Sequence, residues 1–117
     1  MDGSTIFVYG TLKRGCRNHH FLKSAEFLGE ALTEPGYRMI DCGSYPGMVR
    51  ADNGERVTGE VYRVDASLLA ALDRFEDAPD EYLRTTIRLS DGRAAQAYLY
   101  RGPTAHLPAC AATWKEK

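Results

Sequence analysis

The start of the chain is the feature that most constrains how it can fold. Residues 6–8 are apolar, and this run ends at Tyr9-Gly10-Thr11, after which the chain turns polar and basic. The pattern is typical of a buried strand that leads into a tight turn. Because backbone N–H groups in such a turn have no partner strand, we expect the loop to bind an anion, and Gly10 to permit the backbone angle that the turn needs. A plain turn with Tyr9 in the core is the alternative interpretation.

Length and charge narrow the class of protein. A chain of 117 residues fits one small domain. Its 15 lysine and arginine residues nearly balance 16 aspartate and glutamate residues without forming a basic stripe, so we expect no nucleic-acid partner. No apolar stretch approaches the roughly 20 residues of a membrane span, and the first residues do not resemble a signal sequence. We therefore expect a cytoplasmic protein without a membrane partner.

Cysteine and histidine spacing bears on disulfides, metals and other cofactors. Cys16, Cys42 and Cys110 are odd in number and far apart, which argues against a disulfide framework and against a zinc site. His19 and His20 are adjacent, so on a helix they point about 100° apart, and no other ligand lies at metal-binding spacing. We predict reduced thiols, no metal and no other cofactor.

Periodicity divides the chain into strands and two short helices. Asn18 is expected to cap a helix over residues 18–24, and Asp65 to cap a second helix over residues 67–74, whose leucines share one face. An Asp-Gly turn at residues 91–92 indicates a hairpin, the last strand pair of the chain. The predicted strands cover residues 5–8, 26–32, 37–41, 56–64, 82–89 and 94–100.

The balance of these elements indicates a fold class. Strands that dominate a short chain, with helices inserted between them rather than alternating regularly, are typical of the α+β class. We expect a small mixed, largely antiparallel sheet that curls toward a barrel, with the loop after the first strand at the barrel mouth, where ligands bind. The tail after residues 102–103 has no clear period, and we expect it either to pack over an opening or to extend away.

Several short motifs occur in order along the chain. They are YGTLKRG at residues 9–15, Asn18-His19, YPG at 45–47, GEVY at 59–62, LDRFE at 72–76, Pro79, Tyr82, Arg84 and Thr85. This combination resembles the γ-glutamylcyclotransferase-like family, in particular the branch that contains γ-glutamylamine cyclotransferases, AIG2-like proteins and BtrG. Together the motifs span most of the chain.

The resemblance implies that residues 1–117 form a single domain with the γ-glutamylcyclotransferase-like fold. It also implies an enzyme, a lyase or acyltransferase of the γ-glutamylamine cyclotransferase type, whose partner is a small γ-glutamyl amine or amide. In that reaction the α-amine attacks the γ-amide carbonyl, and 5-oxoproline and a free amine are released. Because nucleophile and electrophile belong to one molecule, holding the glutamyl chain bent supplies much of the acceleration. The resemblance implies no metal, cofactor or covalent intermediate.

Glu76 is the carboxylate that the resemblance makes catalytic. One such group accepts a proton from the α-ammonium and then delivers one to the leaving amine. An ordinary glutamate is a weak base toward an amine, so we expect the site to desolvate Glu76 and raise its pKa, with Phe75 and the barrel mouth supplying that environment. The alternative is that Glu76 is one more surface acid, paired with Arg74 or Arg84.

The substrate-binding residues are expected in the first loop and on the later strands. The backbone N–H groups of Gly10, Thr11 and Leu12 are predicted to hold the α-carboxylate. Tyr9 is predicted to wall the pocket, and Tyr82 to orient the Glu76 carboxylate or to touch the substrate. Packing in an amphipathic core is the alternative for both tyrosines.

Glu60 is a rival carboxylate, because on its strand it shares a face with residues 58 and 62 and is able to point into the barrel. We expect it to act directly or, failing that, in a structural role that supports the site, and an inward carboxylate needs a partner. Arg84 is expected in a similar supporting role.

Two functions from different classes fit these observations. The first is the cyclotransferase, and the second is a non-catalytic domain that binds an amino-acid-like ligand in the same cavity. An intact Glu76 favours the enzyme, because a binding domain has no use for an acid and base. The sequence does not identify the leaving amine or the oligomeric state.

Overall fold

The computed structural model describes residues 3–116, and within that range strands dominate. The strands are β1 (Ser4–Val8), β2 (Glu26–Leu32), β3 (Tyr37–Asp41), β4 (Pro46–Arg50), β5 (Thr58–Val64), β6 (Tyr82–Arg88), β7 (Ala94–Tyr100) and β8 (Ala109–Cys110). One α-helix, α1 (Ala66–Phe75), lies between β5 and β6, and a short 3-10 helix, His19–Leu22, precedes β2.

All eight strands belong to one mixed sheet in the order β2-β5-β1-β7-β4-β3-β8, with β6 paired to β7. The β1–β7 and β4–β7 pairs are parallel. The pairs β1–β5, β2–β5, β3–β4, β3–β8 and β6–β7 are antiparallel. The sheet curls into a half-barrel, which confirms the predicted α+β class with a mixed, largely antiparallel sheet.

A fork in the sheet positions the site. The β6 strand pairs with β7 along its whole length, so β1 and β4 must share the other edge of β7. They do so in succession, because Ile6 of β1 pairs with Gln96 and Met48 of β4 pairs with Leu99. The end of β1 and the start of β4 therefore meet beside the middle of β7.

Both faces of the sheet are covered because apolar side chains alternate along its strands. In β1, Phe7 belongs to one core cluster, together with Met39, Met48 and Trp114. The neighbouring residue Ile6 belongs to the other cluster, which contains Leu72 of α1 and Leu22 of the 3-10 helix. The helices therefore pack on the face opposite to the one that Trp114 covers.

Helix α1 forms where the sequence predicts it, with one more residue at each end. The Asp65 side chain accepts a hydrogen bond from the backbone N–H of Leu68 at 2.7 Å and so caps the first turn. Leu72 is fully buried, and Glu76 follows the last helical residue as the C-cap. The helix thus delivers Glu76 to the fork of the sheet.

Four differences from the predicted elements go beyond a shift of one residue. The helix expected over residues 18–24 is only a four-residue 3-10 helix, and the strand expected from residue 56 begins at Thr58. The β4 strand was not predicted, because its first residues, Pro46 and Gly47, are turn formers. A side-chain carbon at Gly47 would lie 2.7 Å from Cβ of Tyr100, so glycine lets this strand pack tightly. The hairpin is also not the last strand pair, since β8 follows and pairs with β3.

The tail packs against the sheet and does not extend away from it. Its β8 strand pairs with β3, and Pro108 accepts a hydrogen bond from the Asp41 amide at 2.8 Å. Further on, Ala112 accepts one from the Thr58 amide at the start of β5, at 3.0 Å. Trp114 then inserts its ring into the core, where it is 5% exposed. The tail therefore joins the β3 side of the sheet to β5.

Candidate active site

A cavity of about 270 Å³ opens at the fork, between the end of β1, the start of β4 and the end of α1. The residues that line it are Val8, Tyr9, Gly10, Thr11, Leu12, Arg17, Asn18, Tyr45, Pro46, Phe75, Glu76, Glu81, Tyr82 and Tyr98. The structure therefore brings Glu76 together with the loop of residues 9–12, and it adds Tyr82 to the same wall.

The loop after β1 offers backbone donors to this cavity. Gly10, Thr11 and Leu12 are buried, and within residues 3–116 none of their N–H groups donates to a protein acceptor. Unpaired N–H groups at a strand end attract anions. Gly10 does not serve through its backbone angle, because its φ is not positive. A side-chain carbon there would lie 2.8 Å from Pro46 Cγ, so Gly10 is required for close packing instead.

Asn18 and His19 fix this loop in place. The Asn18 side chain donates to Thr11 Oγ1 at 3.0 Å, and its backbone N–H donates to the Thr11 carbonyl, also at 3.0 Å. The ring Nδ1 of His19 donates to the Leu12 carbonyl at 2.9 Å. Asn18 was predicted to cap a helix, but its side chain makes no capping hydrogen bond. Instead, the Asn18 side chain bonds to Thr11 and holds the loop in place.

Glu76 points into a largely desolvated part of the cavity. Burial and, to a smaller extent, the nearby negative charge of Glu81 together raise the pKa of its carboxyl group to about 8. Within residues 3–116 no hydrogen-bond donor or cation contacts this carboxylate. The alternative of a surface acid paired with Arg84 is wrong, because Arg84 pairs with Asp73. The expected rise in pKa is present.

The two predicted tyrosines both line the cavity and both anchor the fork. The Tyr9 hydroxyl donates to the Tyr98 carbonyl at 2.5 Å and accepts from the Met48 amide at 3.2 Å. It therefore joins β7 to β4 where β1 ends. The Tyr82 hydroxyl donates to the Pro46 carbonyl at 2.8 Å, so it does not orient the Glu76 carboxylate by a hydrogen bond. Its ring remains available to a ligand as part of the wall.

Glu60 lies outside the lining of the cavity and holds the basic loop. It is 7% exposed and accepts hydrogen bonds from the Arg14 amide and from the Tyr62 hydroxyl, both at 2.9 Å. The Arg14 guanidinium also contacts it at 3.4 Å. These partners satisfy the inward carboxylate, and they tie β5 to the segment that follows the loop of residues 9–12.

Arg84 reaches the cavity only through two other side chains. Its guanidinium contacts both carboxylate oxygens of Asp73, at 2.8 and 3.2 Å. The same carboxylate accepts the Tyr98 hydroxyl at 2.6 Å, and Tyr98 lines the cavity. Burial alone would raise the pKa of Asp73, but the hydrogen bonds from Arg84 and Tyr98 hold it below its ordinary value.

Sequence reasoning did not assign a role in the site to several of the lining residues, among them Arg17, Tyr45, Glu81 and Tyr98. Tyr45 belongs to the YPG motif, which could have indicated it. Tyr98 is one of several alternating residues of β7, and Glu81 lies in a run of acids, so neither carries a distinguishing signal. Within residues 3–116 no three His, Cys, Asp or Glu side chains come together as a metal site. None of the helices in that range is long and apolar enough to cross a membrane.

Comparison with known proteins identifies the family. A family model described as γ-glutamyl cyclotransferase, AIG2-like, matches residues 6–116. A γ-glutamylaminecyclotransferase A from Danio rerio is 38% identical over 111 residues, covering 85% of this chain and 69% of that protein. The γ-glutamylcyclotransferase family protein YtfP from Escherichia coli is 40% identical over 98 residues, covering 84% and 83%. An AIG2-like protein from Mus musculus has a crystal structure with a TM-score of 0.83 and 33% identity, covering 94% of this chain and 87% of that one.

The chain therefore belongs to the γ-glutamylcyclotransferase, AIG2-like family. Both the sequence match and the shared architecture extend over most of the chain, so the resemblance carried by the short motifs is confirmed.

Proposed function

We propose that this protein is a γ-glutamylcyclotransferase that releases 5-oxoproline and a free amine from a small γ-glutamyl amine or amide. The observation that carries the proposal is the meeting of the Glu76 carboxylate and the unpaired N–H groups of residues 10–12 in one cavity of about 270 Å³. The family supports the reaction class. A relative that is named a γ-glutamylaminecyclotransferase supports the choice of an amine as leaving group.

The loop binds the α-carboxylate of the glutamyl group. Backbone donors from Gly10, Thr11 and Leu12 neutralise part of its charge without a cationic side chain. Asn18 and His19 keep those donors in place before the substrate arrives, so little ordering is required on binding. With its carboxylate fixed, the glutamyl chain bends so that the α-amine reaches its own γ-carbonyl.

Glu76 moves the protons. It takes a proton from the α-ammonium, and the freed nitrogen forms the new C–N bond of the lactam. The bond between the γ-carbon and the departing nitrogen then breaks. Of the three ammonium protons, one stays on the lactam nitrogen and two pass to the leaving amine, so no water or other reactant is consumed. A carboxyl pKa of about 8 suits this exchange, because it matches that of an α-amine.

Replacement of Glu76 tests the proposal. Glu76→Gln keeps the size of the side chain and its hydrogen-bonding capacity but cannot cycle a proton, so we expect release of 5-oxoproline to fall at least about a hundredfold while substrate binding is retained. Glu60→Gln is the matched control, and we expect a milder loss. Turnover of several γ-glutamyl amines and calorimetric binding measure the two effects. Turnover near the wild-type rate in Glu76→Gln, with a loss in Glu60→Gln, would move the role to Glu60.

A blocked α-amine tests the mechanism itself. We expect an Nα-acetylated γ-glutamyl amine not to be turned over, because its nucleophile is lost, and we expect chelators to have no effect on the free substrate. Cleavage of the acetylated compound would mean attack by water rather than cyclisation. Binding of a γ-glutamyl compound without release of 5-oxoproline from any of them would favour a non-catalytic binding domain.

A further inference from the structure

One carboxylate in the cavity wall has no part in the cyclisation. Glu81 lines the same cavity as Glu76 and is half-buried. Its Oε2 accepts the Tyr45 hydroxyl at 2.6 Å, and within residues 3–116 no cation pairs with it. Burying part of a negative charge without a cation costs stability, so this position needs an explanation other than folding.

Glu81 is held in place on both sides. Its backbone N–H donates to the Asp77 carbonyl, and its carbonyl accepts from the Arg101 amide, both at 2.8 Å. Tyr45, which donates to the carboxylate, packs its ring against that of Tyr82 with 6.5 Å between the ring centres. The carboxylate is therefore fixed in the wall before any ligand binds, which lowers the cost of binding a partner.

Among residues 3–116, Arg17 is the one cationic side chain that lines the cavity, and it is already engaged. The Arg17 guanidinium contacts the Glu116 carboxylate at 3.4 Å and donates to the Ser44 carbonyl. Glu76, with a pKa of about 8, is mainly uncharged near neutral pH. Glu81 therefore supplies the uncompensated charge of the cavity, and the field there favours a cationic group.

We propose that Glu81, oriented by Tyr45, is a specificity-determining residue that binds a second ammonium group on the leaving amine. The preferred substrates are then γ-glutamyl derivatives of diamines, and amines that end in a carboxylate are disfavoured. This inference rests on the proposed function, because it assigns to the leaving amine the part of the cavity that the glutamyl group does not fill. Phe75, 36% exposed, offers the methylenes between the two nitrogens an apolar surface.

Three probes of matched length test the assignment. They are the γ-glutamyl amides of putrescine, of n-pentylamine and of γ-aminobutyrate, which end in an ammonium, a methyl and a carboxylate group. For the wild type we expect KM to be lowest for the putrescine derivative, by about tenfold against the pentylamine derivative, since one charge-assisted hydrogen bond is at stake. An equal or lower KM for the pentylamine derivative would overturn the proposal.

Substitution of Glu81 tests whether this residue causes the preference for the ammonium probe. Glu81→Gln is expected to abolish the preference for the ammonium probe, and Tyr45→Phe to reduce it about threefold. Glu81→Gln also lowers the pKa of Glu76, but that change acts equally on all three probes and cancels in the ratio of their KM values. Asp80→Asn, which removes an exposed neighbouring charge, is the matched control and should keep the preference. A preference that survives in Glu81→Gln would show that Glu81 does not bind the second ammonium.

Binding to the Glu76→Gln variant separates this inference from the proposed function. Calorimetry with the three probes measures the preference without turnover. A preference for the ammonium probe that Glu81→Gln removes would support the role of Glu81 even if no probe released 5-oxoproline, and the proposed reaction alone would then fail. Release of 5-oxoproline from all three probes with no preference in binding would overturn the role of Glu81 and leave the reaction intact. If no probe bound, both would be overturned.

Discussion

The Glu76 side chain combines two properties that a surface carboxylate lacks. It lies in a cavity without a cationic partner, and its pKa is raised from 4.5 to about 8, mainly by burial. The folded protein therefore favours the protonated form, whereas the unfolded chain ionises at the ordinary value. The stability that the protein gains from protonation of Glu76 is fully present below the ordinary glutamate pKa of 4.5. This stability is lost as the pH rises through about 8.

Glu76→Gln should remove this pH dependence. Because Gln does not ionise, we expect the variant to be more stable than the wild type by about 2 kcal/mol near pH 9, after allowance for water in the cavity, and equally stable near pH 4. Urea unfolding followed by circular dichroism at both pH values measures the difference. Asp80→Asn serves as a control that should show no such trend. A difference that did not change with pH would mean that the pKa of Glu76 is close to ordinary.

Gly10 makes a different contribution, because it lets two segments of the site approach each other. In Gly10→Ala the new carbon would lie 2.8 Å from Pro46 Cγ, and the ring of a proline cannot move aside as a flexible side chain does. We expect a loss of about 1–3 kcal/mol in stability and weaker binding of γ-glutamyl compounds. Gly3→Ala is the control, because its new carbon meets only the flexible Arg63 side chain. Unchanged binding in Gly10→Ala would show that the loop tolerates displacement from Pro46.

Among the elements, α1 is joined to the sheet by polar contacts of Asp73, the one side chain of this helix that makes them within residues 3–116. Asp73 lies one turn before Glu76 and contacts Arg84 of β6 and Tyr98 of β7. These contacts hold the helix end against the sheet, so we expect Asp73 and Arg84 to act on the site as positioning residues.

Asp73→Asn tests that link. We expect a loss of about 1–3 kcal/mol in stability, and a fall in kcat with little change in KM, since the variant disturbs Glu76 rather than the loop that we propose to bind the glutamyl group. Asp91→Asn is the matched control, because Asp91 also contacts an arginine, Arg93, at 2.8 Å but is exposed and distant from the site in the chain. An equal loss of kcat in both variants would argue against a positioning role.

The elements that could be predicted are those specified by neighbouring residues. The Asp65 cap and the leucine spacing predict α1, and the Asp-Gly turn at residues 91–92 predicts the β6–β7 hairpin. The β4 strand could not be predicted, since it depends on the close contact of Gly47 with Tyr100, far along the chain. Long-range pairing also explains the unpredicted part of the site. Glu81 meets Tyr45 across 36 residues, and only the forked sheet brings them together.

For the molecule as a whole, the tail completes the half-barrel. It bonds to β3 and to the start of β5, and Trp114 fills the core between them. Nearer the site, the Trp114 carbonyl accepts a hydrogen bond from Lys13 Nζ at 2.8 Å. The tail therefore connects the far side of the sheet with the segment that follows the loop of residues 9–12.

Removal of the Trp114 ring should destabilise the entire fold. We expect Trp114→Ala to lose about 3–5 kcal/mol, because a large side chain that is 5% exposed leaves a cavity when it is truncated. Trp114→Phe should lose less, since it fills part of the same space. Urea unfolding followed by circular dichroism measures both. A loss below about 1 kcal/mol in Trp114→Ala would mean that the tail docks on a core that is already complete.

The same ring gives the protein a built-in optical probe. The chain contains one tryptophan, so its fluorescence reports a single location, the contact between the tail and the core. Emission from a buried indole shifts to longer wavelength when water reaches it. Detachment of the tail would therefore be visible as a red shift at urea concentrations that leave the circular dichroism of the sheet unchanged. No added dye or label is needed to time that event in a stopped-flow experiment.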